Sequence, residues 1–365
     1  MWGSRISDIL NIRYPIIQGP FGGGYSSQQL AAAVSNAGGM GSFGAHHLTR
    51  EEIIAVDRDI RSRTDGTYAI NLWVRNDGLD KKFDRADYEK LCILFKPYFD
   101  ELSIPLPPFP EMNDAVYEKQ VEAVLEARPP VFSFVYGIPD NAIIGECKRL
   151  GIKTIGTATT VDEALALEGA GVDVVTATGF EAGGHRVSFL RSAEDSLTGL
   201  FSLIPQVADR LTIPFLAAGG IADGRGIAAA LALGADGVQV GTAFLACEES
   251  NAPALHRAKI FSKESNHTVL TRSFTGRLAR GTESKIALET RESAGALAPY
   301  PLQGYFVRSL RKAAIDQKRS DLISFWAGQS AALVKYKKAD ELFVALVRET
   351  ESVWSRDTAT EKSMT

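Results

Sequence analysis

Two stretches of this chain are built to one plan, and that plan limits what the chain can fold into. Residues 164–179, "ALALEGAGVDVVTATG", and residues 230–245, "ALALGADGVQVGTAFL", each read as an Ala/Leu-rich helix, a Gly-Ala turn and a Val-rich strand. A repeated helix-to-strand unit calls for a parallel sheet with helices on its faces. The same rhythm runs through most of the chain. Candidate strands are Tyr14–Gln18, Gly41–Ala45, Tyr68–Val74, Val131–Tyr136, Lys153–Gly156, Val172–Ala177, Ile213–Ala217 and Gly237–Val240. They are apolar on both faces rather than alternating, as strands covered by helices must be. Ser27–Asn36, Asp162–Glu168 and Gly226–Leu233 read as helices, and several such segments stop at a glycine just before the next strand. Eight strands separated by helices or long connections predict an α/β fold, a (β/α)8 TIM barrel.

Two regions break the rhythm. Residues 76–114 follow the third strand and hold the Pro-rich "KPYFDELSIPLPPFPEMN". Proline at that density argues against regular structure and for a long loop over the barrel top. From about residue 247 the chain turns polar and helical, and "DLISFWAGQSAALVKYKKADELFVALVRETESVW" reads as an amphipathic pair of helices. The expected organisation is a barrel over 1–246 with an insertion at 76–114. A mostly helical region over 247–356 packs on the site, and 357–365 form a frayed tail.

Charge excludes some functions. Lys plus Arg is 40 and Asp plus Glu is 44, so the net charge is -4 and no basic footprint for nucleic acid exists. No run of about 18 apolar residues suits a membrane span. "MWGSRISDIL" has no signal-peptide core, and Cys92, Cys147 and Cys247 stand far apart without a CxxC pair. A cytoplasmic location, packing cysteines and no bound metal are expected.

A (β/α)8 barrel carries its chemistry at the C-terminal ends of its strands. Here those ends are crowded with glycine and poor in acids and bases: "QGPFGGG", "GAHH", "YGIP", "TGFEAGGHR", "AAGGIADGRG" and "VGTAF". Sites made mostly of backbone suit a flat cofactor that carries phosphate. Barrels often bind phosphate with the loops after strands seven and eight. In this chain those loops hold Gly219, Gly220, Gly241 and Thr242. No GxGxxG follows the first strand, so FMN, with one phosphate, fits better than NAD. His185 ends the glycine run "GFEAGGH" after strand six, where it could move a proton, orient an anionic substrate or simply pack a turn. Glu181 could be an acid–base group or a loop anchor. His46 and His47 end strand two and either could line the pocket. His256 and His267 read as surface residues.

These blocks carry a resemblance. "YPIIQGPFGGG", "NLWV", "FSFVYGIP", "GFEAGGHR", "PFLAAGGIADGRGIAAALALGADGVQVGTAFL", "GRLAR", "YPLQ" and "FWAGQ" are similar to the motifs of the nitronate monooxygenases, and the class I branch in particular, over about residues 12–350. The resemblance implies an FMN barrel with an added helical domain, acting on small-molecule nitronates and O2 as a monomer or homodimer. It implies that His185 is the catalytic or substrate-orienting residue. FMN would be held by Asn71, Gly183, Gly219, Gly220, the run Gln239, Val240, Gly241 and Thr242, and Gln329. The backbone of Gly19, Pro20 and Phe21 would lie along the flavin ring. Nitronate would give one electron to FMN, and the semiquinone and O2 would complete conversion to a carbonyl compound and nitrite. The chain also departs from the family. Thr178 stands where many relatives have glutamine, so a shorter donor would meet the cofactor. Val135 stands where a second histidine is frequent. Where a Tyr, Tyr, Lys series would contact substrate, the chain offers Tyr300, Gly304 beside Tyr305, and Arg308. Related barrels that reduce quinones or enoyl groups with NAD(P)H are the alternative within this fold. A barrel binding a phosphorylated ligand without redox chemistry is the alternative outside the class.

Overall fold

The computed structural model describes residues 2–74, 83–109 and 117–362. All eight expected strands are present: β1 (Ile16–Gln18), β2 (Gly41–Gly44), β3 (Tyr68–Trp73), β4 (Val131–Val135), β5 (Lys153–Ala158), β6 (Val174–Thr178), β8 (Phe215–Ala218) and β9 (Gly237–Val240). Between β6 and β8 lies β7, the two-residue strand Gly184–His185, which belongs to a second, three-stranded sheet with β10 (Thr268–Thr271) and β11 (Ala279–Thr282). The eight barrel strands pair in parallel in the order β1-β9-β8-β6-β5-β4-β3-β2. A parallel bridge from Ile17 to Met40 joins β1 to β2 and closes the ring. The fold is the expected TIM barrel.

Strand register sorts the side chains by face. Ile17 lies opposite Gln239, Ala69 opposite Val131, Ile155 opposite Val174 and Thr176 opposite Leu216. Ile17, Met40, Ala69, Val131, Ile155, Val174 and Leu216 form one buried cluster with Ile6, Leu10 and Ile12. This cluster is the lower layer of the barrel interior, and the helix Arg5–Leu10 plugs it from below. The intervening residues, such as Ile70, Phe132, Val175 and Val238, point outward into the larger core beneath the helices. Helix starts are fixed by side-chain caps, among them a Thr49–Glu52 capping box before the helix Arg50–Arg63.

Three expectations need correction. The insertion is partly helical: Arg85–Glu101 is one helix despite Pro97. The proline removes one hydrogen bond, to the carbonyl of Ile93, and that residue is on the solvent side. Leu91, Phe95, Tyr98 and Phe99 recur at helical spacing and bury one face. That face packs against Phe306, Leu310, Leu322 and Phe325, so insertion and late chain share a second core. Each such apolar side chain contributes roughly 1.5–3 kcal/mol by burial. Residues 75–82 and 110–116 of the insertion lie outside the described residues.

The expected pair of late helices is instead one helix, Ala339–Lys362, preceded by irregular chain. Ala339, Leu342, Phe343 and Leu346 enter the barrel's own core rather than the cap's, so the division at residue 247 does not hold for the end of the chain. The helix runs past Arg356, where a frayed tail was expected, and residues 363–365 lie outside the described residues. No helix among the described residues is long and apolar enough to cross a membrane. No group of His, Cys, Asp or Glu among them is placed to hold a metal ion.

Candidate active site

Two residues further along the same strands, the barrel interior changes character. Ser42, Asn71, Ser133, Thr157, Thr176, Thr178 and Gln239 take the inward positions above the apolar layer. Period-two alternation forces this for all but Gln239, because each follows an inward apolar residue by two or four positions, and Gln239 is paired in register with the inward Ile17. The Asn71 amide donates to Ser133 at 3.0 Å, and its oxygen has no partner among the described residues. Thr176 Oγ1 is buried without a partner among the described residues. The upper layer therefore presents spare donors and acceptors to the barrel mouth.

Above β6, the loop that leads to His185 is tightly knitted. Glu181 accepts the Leu200 N–H on both carboxylate oxygens, at 2.8 and 3.0 Å, and so anchors the loop to the start of the helix Leu200–Ala208. Arg186 is almost wholly buried and donates to the carbonyls of Gly179, Thr178 and Ser196. Burial lowers its pKa to about 10, so it still carries its charge at neutral pH. The late segment Ala327–Gln329 crosses this loop. Gln329 N–H bonds the Glu181 carbonyl at 2.9 Å, and Gly328 N–H bonds Thr242 Oγ1 at 2.9 Å. A Cβ on Gly183 would sit 2.6 Å from the Gly328 nitrogen. Gly183 is thus required by the crossing chain.

The loops after β8 and β9 differ from it. Gly219 and Gly220 have φ of +100° and +69°, a conformation that turns successive N–H groups in a way only glycine adopts freely. Gly241 has an ordinary negative φ, and a Cβ there would meet nothing within 4 Å. Open space lies in front of Gly241, beside the Thr242 hydroxyl.

His185 stands over this mouth in an aromatic surround. Its ring lies 5.6 Å from Trp73, 5.6 Å from Trp326, 6.0 Å from Tyr300 and 6.5 Å from Tyr136. Trp73 is also stacked face to face on His46, at 3.5 Å. Arg277 places its guanidinium 4.0 Å over the Tyr136 ring. His185 Nε2 lies 3.0 Å from Thr275 Oγ1. The single hydroxyl proton of Thr275 goes to the Arg277 carbonyl at 3.1 Å, so Nε2–H must be the donor to Thr275. Nδ1 is left as the free lone pair. Burial, and then the Arg277 charge, push the His185 pKa down to about 3, so the ring is neutral at physiological pH. His46 is held to about 3 as well, by burial and by the neighbouring His47 and His185.

The whole chain matches known proteins. The family model "nitronate monooxygenase" covers residues 3–349. A probable nitronate monooxygenase of Staphylococcus aureus (strain Newman) is 36% identical over 97% of this chain and 99% of its own. The chain belongs to the nitronate monooxygenase family. Among solved structures, nitroalkane oxidase from Streptomyces ansochromogenes aligns with a TM-score of 0.86 at 35% identity, over 97% of this chain and 99% of that one. FabK from Thermotoga maritima aligns with a TM-score of 0.73 at 27% identity, over 99% and 100%. As a member of this family the protein is an oxidoreductase.

Within that family frame, the residues singled out by sequence fall into two groups. Gly19, Asn71, Thr178, Gln239, Gly219, Gly220, Gly241, Thr242 and His185 gather at the mouth, with Pro20 and Phe21 half-buried on the rim. Gly19 accompanies Gln239, whose side chain lies 3.6 Å from where a Gly19 Cβ would be. Gln329 reaches the mouth through its backbone, and its side chain is exposed. Val240 points outward into the core rather than into the mouth. Tyr300 joins the aromatic surround. Tyr305 and Arg308 do not: both are exposed on the cap surface and pair with each other at 5.0 Å. A one-turn helix, Leu302–Phe306, turns Tyr305 outward while it buries Leu302, Gln303 and Phe306, and Arg308 begins the next helix, Arg308–Asp316. His256 is buried and bonds the Trp326 carbonyl at 2.9 Å, contrary to the surface reading. Sequence reasoning missed Trp73, Tyr136, Thr275, Arg277 and Trp326. Trp73 was within reach, because it lies two residues beyond Asn71 on one strand face. Thr275 was not, since 90 residues separate it from His185.

Proposed function

We propose that this protein is an FMN-dependent enzyme that oxidises alkyl nitronates with O2 to carbonyl compounds and nitrite, with His185 as its key residue. The upper interior layer suits a flavin. The spare amide groups of Asn71 and Gln239 match the alternating donors and acceptors of its ring edge, and Thr178 adds a hydroxyl. The Gly219–Gly220 turn, the space before Gly241 and the Thr242 hydroxyl suit its phosphate. The backbone of Gly19–Phe21 would flank the ring, and the crossing at Gly183 and Gln329 would close the rim. When bound, FMN supplies the electron transfer from substrate to oxygen.

The observation that carries the reading is His185 itself, a neutral imidazole with Nε2–H committed to Thr275 and Nδ1 free. A base with a pKa of about 3 removes a carbon-bound proton poorly at pH 7. A nitronate has already lost that proton and needs only to be held and oriented. The aromatic surround excludes water from the reacting carbon, and Thr275 fixes the ring that faces it. The reading therefore favours the nitronate anion over the neutral nitroalkane.

Steady-state oxygen uptake with ethyl nitronate and with freshly dissolved nitroethane tests this. Ethyl nitronate is expected to turn over at least about tenfold faster, because the missing step is proton removal by a weak base. Equal rates for the two would contradict it.

A further inference from the structure

Arg277 is an unusual cation. Its guanidinium is half-buried, covers the Tyr136 ring at 4.0 Å and acts electrostatically on His185. Two of its nitrogens are committed to backbone: Nε donates to the Arg186 carbonyl at 3.2 Å and Nη2 to the Ser188 carbonyl at 2.5 Å. These bonds fix its orientation without neutralising it. Its Nη1 donors have no hydrogen-bond partner among the described residues, and no carboxylate there is within ion-pair distance of it. Glu194, the acid that feels its charge, is taken on both oxygens by Arg272 at 2.7 Å.

A positive charge held partly out of water, with no counter-ion among the described residues, carries a cost that is offset when an anion arrives. The neighbour of Arg277 across Tyr136, His185, cannot supply the anion site. His185 presents a lone pair there, which repels anionic oxygen. The exposed pair Tyr305 and Arg308 stands on the cap surface.

We propose that Arg277 is the residue that holds the negative charge of the substrate, taking the oxygens of a planar, monoanionic O–N–O group while His185 faces the adjoining carbon. This deepens, and rests on, the nitronate reading above. Guanidinium and a two-oxygen planar anion match in geometry, as they do for carboxylate. In this proposal a residue from the "GRLAR" block takes the role expected of Tyr305 and Arg308. The substrate class that follows is a small planar anion flanked by apolar groups that fit between aromatic rings.

Nitrate is the probe, since it is planar, singly charged and unreactive here. Binding is read in the holoenzyme from the His185 imidazole NMR signals as nitrate is added, alongside the KM for ethyl nitronate. Nitrate is expected to titrate His185 saturably, raise its titration midpoint and compete with ethyl nitronate. Arg277→Lys should weaken nitrate several-fold, because it keeps the charge but loses the planar fork, and Arg277→Met by more, about tenfold or above, because it removes both. An Arg277→Met protein that binds nitrate as tightly as the native one would overturn the proposal. So would a native enzyme whose His185 signals ignore nitrate, an outcome that needs no variant to fold. If nitrate binds as expected but ethyl nitronate is not oxidised, the anion site stands and the nitronate function falls.

Discussion

The lower and upper layers of the barrel interior are built by the same strands, two residues apart, and they do opposite things. Below, Ile17, Ala69, Val131, Ile155, Val174 and Leu216 meet Ile6 and Leu10 of the plug helix in one apolar cluster. Above, Asn71, Ser133, Thr157, Thr176, Thr178 and Gln239 leave donors and acceptors unspent. One layer gains its stability from packing. The other leaves Thr176 Oγ1 buried without a partner among the described residues, as a layer would that meets a ligand in the proposed reading. The lesson is that stability and function are separated along the strand direction, not between strands.

That separation can be broken by experiment. The largest expected effect is at the top. His185→Asn should lower nitronate turnover by about 100-fold or more while flavin content and melting temperature stay near native, because in the proposed reading the ring orients the substrate. Turnover at the native rate would remove His185 from the chemistry. Next is Gly241→Val. Its φ suits any residue and its Cβ would enter open space, so the fold should survive while FMN content after purification drops several-fold. Unchanged flavin absorbance would show that no phosphate sits before Gly241.

Leu216→Ala is the counterpart below. A cavity in the sealed layer should cost about 2–5 kcal/mol. The loss should appear in the denaturation midpoint, with kcat of the folded enzyme unchanged. A fall in kcat without a fall in stability would mean that the layers are not separate.

The smallest effect is on pH. His46 and His185 titrate near 3 and His256 near 4, all below the ordinary value near 6.5, with burial the leading cause in each. Between those values the unfolded chain binds protons that the folded chain refuses. Stability should therefore be level above about pH 7 and decline as pH falls toward 4. Thermal melts between pH 8 and 4.5 should drop by several degrees. His185→Asn should make the decline shallower, and an identical decline in that variant would place the titration elsewhere.

Much of the barrel was legible because its strands are short apolar runs bounded by glycine. Tyr68–Val74 was expected and Tyr68–Trp73 observed, and the loops after β8 and β9 followed from strand count alone. The cap was not legible for a physical reason. The spacing of Leu91, Phe95, Tyr98 and Phe99 is helical, but Pro97 and the prolines that follow suggest a loop, and only burial against Phe306 decides. The amphipathic face of the last helix was visible in Leu342, Phe343 and Leu346, yet amphipathicity names no partner, and the partner is the barrel. At the site, His185 could be found by its place after strand six. Thr275 and Arg277, which set its tautomer and its charge, reach it only through tertiary structure. Nothing in the geometry explains Thr178 at the position where the resemblance led to an expectation of glutamine.

The central claim is that the polar upper layer holds a flavin that nitronate, and not a nicotinamide, reduces. Anaerobic mixing of the purified protein with ethyl nitronate, NADH and NADPH in turn, followed at the flavin absorbance band, tests it most directly. The account expects a yellow protein whose band changes with ethyl nitronate and is unmoved by either nicotinamide. A colourless protein, or a band bleached by NADH or NADPH and indifferent to nitronate, would contradict it.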